Sequence, residues 1–166
     1  MVNNLVLIAD QTKRLKFKRQ ALQKFVRNVL KKLRHKKTAV SVVFVSDSKI
    51  KQLNKKHLRH SYATDVLAFP LSLPPFPPED GSAALLAERG KVRMGGKFLG
   101  EIIISPARAR VQAKQFDASF YEELMRYVCH GILHLSGYSD KTARQKARMR
   151  RMENQLLKLL PKKRII

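Results

Sequence analysis

Two histidines and an aspartate have the types and spacing of a metal site. His130 and His134 lie four residues apart in Cys129-His130-Gly131-Ile132-Leu133-His134-Leu135-Ser136-Gly137-Tyr138-Ser139-Asp140. On a helix this spacing puts both imidazoles on one face, about one turn apart. Two such imidazoles hold one divalent ion, and a catalytic zinc takes three protein ligands while keeping a position open. Gly137 can take a positive φ, end the helix and turn the chain back. Asp140, three residues on, is then within reach as a third ligand. The pattern differs from H-E-x-x-H, because Gly131 stands where a metallopeptidase carries its general base. Cys129 adjoins His130 but points about 100° away on a helix, so it is expected as a small core residue.

The elements that must position these residues are legible in the periodicity. A first strand is expected near 5–9. Leu22, Phe25, Val26, Val29, Leu30 and Leu33 form a helical stripe. Val40–Val45 reads as a strand, followed by a short helix capped by Asp47 or Ser48, with Ile50, Leu53 and His57 inward. Val66–Phe69 reads as a strand closed by Pro70. Residues 71–98, rich in Pro and Gly, read as a long loop or insertion, with a helical turn over 83–88 as one option. Leu99–Ser105 is a buried strand, and Ser105-Pro106 starts a helix running to about Phe116. Ser119-x-x-Glu122 opens the histidine helix, and a final helix from Thr142 to Leu160 is stopped by Pro161. The order predicts an α/β (α+β) fold: a small mixed sheet of about four strands packed with helices.

The chain has 166 residues, room for one domain over 1–166 with a basic tail at 161–166. Lys and Arg total 35 against 12 acids, a formal charge of +23. That is far beyond an ordinary small domain and points to a polyanionic partner. Twelve basic residues and no acid lie between Lys13 and Lys37, and ten against Glu153 alone between Lys141 and Arg164. A single cysteine excludes an intrachain disulfide and a cysteine-rich zinc module. No apolar run is long enough to span a membrane, and the N-terminus lacks the n- and h-regions of a signal peptide. A cytoplasmic location without membrane partners is expected.

His130-Gly131-Ile132-Leu133-His134-Leu135-Ser136-Gly137-Tyr138 resembles the signature of the YbeY family of metal-dependent endoribonucleases. Leu53-Asn54, followed by Thr64-Asp65-Val66-Leu67-Ala68-Phe69-Pro70, is similar to that family's L-N…T-D-V-L-S-F-P block. Leu99-Gly100-Glu101-Ile102-Ile103-Ile104-Ser105 is similar to its L-G-D-I-x-I-S strand. The resemblance spans about residues 40–160. It implies a zincin-like metal-hydrolase fold and one bound zinc. It also implies action on rRNA at the ribosome, in maturation of small-subunit rRNA and in ribosome quality control. The small subunit and ribosomal proteins are the implied partners.

Two departures stand out within the resemblance. The family block ends G-Y-D-H, whereas this chain reads Gly137-Tyr138-Ser139-Asp140, so Asp140 takes the third ligand's position. Two histidines and a carboxylate are a common catalytic zinc set, and they also suit Fe(II). An anionic ligand makes the centre a weaker Lewis acid than three imidazoles would. The family's phosphate-facing arginine falls on Leu58, and the nearest candidate here is Arg59.

Phosphodiester cleavage needs a nucleophile, charge stabilisation and a proton for the leaving oxygen. With His130, His134 and Asp140 as ligands, Arg59 is the candidate phosphate clamp. Asp65 and Glu101 are the candidate general bases. A second reading is a non-catalytic ribosome-assembly factor with a structural metal. A third, a zinc peptidase, lacks a Glu at position 131 and leaves the charge of +23 without a purpose.

Overall fold

The computed structural model describes residues 4–13, 15–58, 64–70 and 97–161. Most of the expected 71–98 loop, the 83–88 turn, Arg59 and all but the first residue of the basic tail lie outside the described residues. The described elements run β1 (Leu5–Asp10), α1 (Arg19–Lys32), β2 (Thr38–Phe44), α2 (Asp47–Leu58), β3 (Val66–Pro70), β4 (Lys97–Ile104), α3 (Pro106–Gln115), α4 (Phe120–Leu135) and α5 (Ala143–Leu157). This is the expected order.

The sheet order is β1-β2-β4-β3. β1, β2 and β4 are parallel, and β3 returns antiparallel to β4. All seven residues of β2 are buried, as a strand covered on both faces requires. One face carries the main core, with Val6, Val40, Val42, Ile102 and Ile104 packed against α1 and α4. The other face carries a smaller cluster of Val43, Val45, Leu67 and Ile103 closed by Ile50 of α2. No helix among the described residues is long and apolar enough to cross a membrane.

The exposed edge of β1 is protected by α1. Arg19, Gln23 and Arg27, four residues apart on the helix, donate to the carbonyls of Ile8, Val6 and Asn4 at 2.7, 3.0 and 3.3 Å. An unpaired strand edge otherwise templates aggregation. Two arginines of the Lys13–Lys37 run therefore serve the fold.

Helix caps place the later elements. Ser105 caps α3, with Pro106 at its first position, as expected. At α2 the cap is earlier than expected. The Ser46 hydroxyl takes the Lys49 N–H at 3.2 Å, which frees Asp47 to bind the Ser105 hydroxyl at 3.2 Å and Arg108 at 3.0 Å. Ser119 caps α4 by accepting from the Glu122 N–H, and Thr142 and Gln145 form a reciprocal capping box on α5. The last helix ends at Leu157, short of the expected Leu160.

Candidate metal centre

α4 crosses the sheet with its apolar side down, and a glycine sets how close it comes. A Cβ on Gly131 would lie 2.4 Å from Ile102 Cγ2 of β4. Position 131 thus faces the core, whereas His130 and His134 are only partly buried. A carboxylate at 131 would therefore be directed at Ile102 rather than into the space between the histidines.

The end of α4 builds the second half of the site. Gly137 has φ 89°, and the Tyr138 and Gly137 N–H groups donate to the Leu133 and His134 carbonyls, each at 3.0 Å. That pattern is a Schellman turn. It brings the Tyr138 carbonyl to 3.1 Å from His134 Nδ1 and carries the chain on to Asp140. On the other side, Glu153 of α5 places Oε1 2.8 Å from His130 Nδ1.

These partners fix the tautomers. A carbonyl only accepts, so His134 Nδ1 carries a proton. Burial alone would raise the Glu153 pKa. The hydrogen bond and charge of His130, with Arg150 and Arg126, outweigh it and hold this carboxyl below its usual range. Glu153 is therefore ionised at neutral pH, and His130 Nδ1 donates to it. Burial, reinforced by the neighbouring His130, lowers the pKa of His134 and keeps its imidazole neutral.

The two Nε2 atoms face each other at 2.9 Å, within hydrogen-bond distance. Asp140 Oδ2 lies 3.9 Å from each. Three candidate ligand atoms thus converge within 4.8 Å of one another, and a cation bound there would replace the proton shared by the two rings. The separations bracket the ~3.3 Å edge of a tetrahedron with metal–nitrogen bonds of about 2.0–2.1 Å. His130, His134 and Asp140 thus form a group able to hold a metal ion, and their chemistry fits zinc or Fe(II).

The three residues line a cleft of about 740 Å³. Its walls include Thr64, Asp65, Gln112, Phe116, Glu123, Arg126, Tyr127, Lys146, Arg150 and Glu153. Asp65, just before β3, is the candidate general base that the structure brings here. Burial raises its pKa, with Asp47 adding to the effect, while Arg108, His130 and Tyr127 oppose it. Tyr127 is almost completely buried, with its hydroxyl close enough to Asp65 to act on that carboxyl as a hydrogen-bond donor. Burial and the Asp65 and Glu123 carboxylates push its pKa up.

The other candidates lie elsewhere. Glu101 shares strand parity with Ile103, so its side chain leaves β4 on the α2 face, away from α4. There it accepts a hydrogen bond from the Ser41 hydroxyl at 3.0 Å. The structure therefore does not bring Glu101 into the cleft, for a reason of strand alternation. Arg59 lies outside the described residues. Cys129 is fully buried, and burial pushes its thiol pKa up, as a core residue requires.

Sequence reasoning did not single out Glu153, Arg126 or Tyr127. Arg126 and Arg150 reach Glu153 Oε2 at 3.4 and 3.3 Å, so one carboxylate ties α4, α5 and His130 together. Its signal was present: Glu153 is the only acid among the ten basic residues of the C-terminal run.

A mixed four-stranded sheet crossed by a helix bearing two histidines, with a carboxylate returned to them by a glycine turn, defines a small mixed α/β protein with a candidate metal centre. Residues 7–161 match the family described as Endoribonuclease YbeY, and the chain belongs to that family. It is 40% identical over 120 residues to an Endoribonuclease YbeY of Thermodesulfovibrio yellowstonii, a match covering 71% of this chain and 64% of that protein. It is 31% identical over 160 residues to that of Aquifex aeolicus, covering 96% and 93% of the two chains. The solution structure of TM1509 from Thermotoga maritima is similar with a TM-score of 0.61 at 25% identity, covering 94% of this chain and 89% of that one.

Proposed function

We propose that this chain is a metal-dependent, single-strand-specific endoribonuclease acting in the cytoplasm on the ends of small-subunit rRNA, with a role in ribosome quality control. One observation carries the reading: both histidines are held by their Nδ1 atoms so that their Nε2 atoms converge with Asp140 on the wall of an open cleft. Membership of the YbeY family and the charge of +23 supply the RNA. We assign His130, His134 and Asp140 as ligands of one zinc ion, or of Fe(II).

When bound, such a metal supplies Lewis-acid stabilisation of the charge that develops on a scissile phosphate. The chain's own residues do the rest. Glu153 and the Tyr138 carbonyl orient the imidazoles and fix their tautomers. Lys146 stands on the cleft wall where a phosphate can meet it, whereas Arg126 and Arg150 are already paired with Glu153. Asp65, with its pKa raised by burial, takes the proton from the substrate's 2′-hydroxyl or from the attacking water. Arg59 remains the proposed phosphate clamp. Ribosomal particles are the proposed partners.

The test is cleavage of single-stranded rRNA fragments by purified protein. His130→Ala and His134→Ala are expected to lose both metal and cleavage. Cleavage that survives both substitutions in the presence of a chelator would overturn the reading.

A further inference from the structure

Phe116 has no evident structural task. It follows α3 and is 66% exposed, one of only two large apolar side chains so exposed among the described residues. The turn that ends α3 does not need it. The Ala118 N–H donates to the Ala113 carbonyl at 2.9 Å, and the Phe116 N–H to that of Gln112 at 3.0 Å. Asp117 takes the left-handed conformation at φ 50°, where glycine would be easier. In this Schellman pattern the usual apolar contact falls to Ala113 and Ala118. Phe116 is left on the wall of the cleft that holds His130, His134 and Asp140, its backbone fixed by the turn.

A second observation lies one helical turn earlier. Gln112 lines the same cleft, and its buried side-chain oxygen has no hydrogen-bond partner among the described residues. That oxygen is closed off from solvent, so the amide meets a ligand in the cleft only after turning about its terminal bond, which then offers both an acceptor and N–H donors. Every nucleobase has a flat face and carries N–H donors, on ring or exocyclic nitrogens, when unpaired. The cleft also carries the exposed Lys146, which complements a phosphate. Its volume, about 740 Å³, is within the range of sites that enclose small molecules.

We infer that Phe116 is a stacking platform for an unpaired RNA base beside the metal centre, with the Gln112 amide meeting the edge of that base. This deepens the proposed function and rests on its RNA substrate. It makes Phe116 a determinant of single-strand specificity, because a base held in a duplex offers no free face.

The test uses the full chain and a short single-stranded RNA containing 2-aminopurine, whose fluorescence falls on stacking. Phe116→Leu is expected to abolish the quench and weaken binding on the order of tenfold, within the usual range for one stacked base. Phe116→Tyr, which keeps the ring, should bind within about twofold of wild type. An RNA with one abasic nucleotide should weaken wild-type binding by at least the same factor and weaken that of Phe116→Leu by clearly less. Quench and affinity unchanged in Phe116→Leu, or no RNA binding at all, would overturn the inference. Cleavage is measured separately. A wild type that quenches but never cuts defeats the nuclease reading and leaves the platform standing. Cutting with an indifferent Phe116→Leu defeats the platform alone.

Discussion

His130 Nδ1 sits 2.8 Å from Glu153 Oε1, and this contact decides which nitrogen of His130 faces the cleft. Glu153 is 5% exposed and holds Arg126 and Arg150 on its other oxygen. Replacing it with Gln removes the negative charge and allows the amide to present the wrong group to the ring. Metal affinity of Glu153→Gln is expected to fall about 10–100-fold, the range for a partner behind a ligating histidine. Competition with a chromophoric chelator measures it. Affinity equal to wild type would mean that Glu153 serves packing alone.

Asp140 decides the chemistry of the third position. It stands 3.9 Å from both Nε2 atoms and is half-exposed, so replacing it should leave the fold intact. Asp140→Ala is expected to lose stoichiometric metal in elemental analysis, with a larger drop in affinity than Glu153→Gln shows. Asp140→His is expected to retain metal, because imidazole is an equally good zinc ligand. Full metal content in Asp140→Ala would place the third ligand elsewhere.

Local spacing made the candidate metal cluster readable. His130, His134, Gly137 and Asp140 span one helical turn and one tight turn, where periodicity and glycine chemistry suffice. Glu153 acts on His130 across 23 residues. Its role depends on where α5 packs, which no local pattern encodes. Glu101 shows the converse: a carboxylate in a suggestive strand block is directed by strand alternation to the far face of the sheet. Strand and helix order was legible because each element carries a clean period. The α2 cap was misplaced because Ser46, Asp47 and Ser48 are all good caps, and only the pairing of Asp47 with Arg108 selects Ser46.

Gly131 makes the approach of α4 to β4 testable. Alanine would gain up to about 1 kcal/mol of helix propensity over glycine. Its Cβ would meet Ile102 Cγ2 at 2.4 Å in a fully buried setting, and overpacking costs roughly 1–3 kcal/mol. The clash should win, so Gly131→Ala is expected to lower the midpoint in urea. Gly131→Ala combined with Ile102→Val, which removes one methyl near the clash, should be less destabilised than the two single effects added. Strict additivity in this cycle would show that the two residues do not compete for space.

The exposed cations of α5 predict a salt dependence. Affinity for single-stranded RNA should fall by about 0.7 log units per log unit of salt for each phosphate neutralised. Arg144→Ala and Arg151→Ala should each lower that slope by about one such step if both side chains meet phosphates. Filter binding over a salt series reads it. A flat slope in wild type would place the RNA on another surface.

Asp65 links pH to both stability and rate. Burial raises its pKa, so the folded state holds this proton to higher pH than the unfolded chain does. Below the unfolded value both states are protonated and Asp65 contributes no pH dependence. As pH rises from there through the folded value, the unfolded state binds fewer protons and stability falls. Above the folded pKa, the cost of a buried carboxylate is fully present. Asp65→Asn removes that cost, so its Tm should exceed that of wild type at neutral pH, and the difference should shrink in acid. The same substitution should lower kcat for RNA cleavage by about 10²–10⁴-fold, the contribution of a positioned base. It should also remove the acidic limb of the pH–rate profile, which in wild type is expected above the ordinary carboxylate range. A variant that gains Tm while retaining both the limb and the rate would show that burial strains Asp65 but that catalysis does not use it.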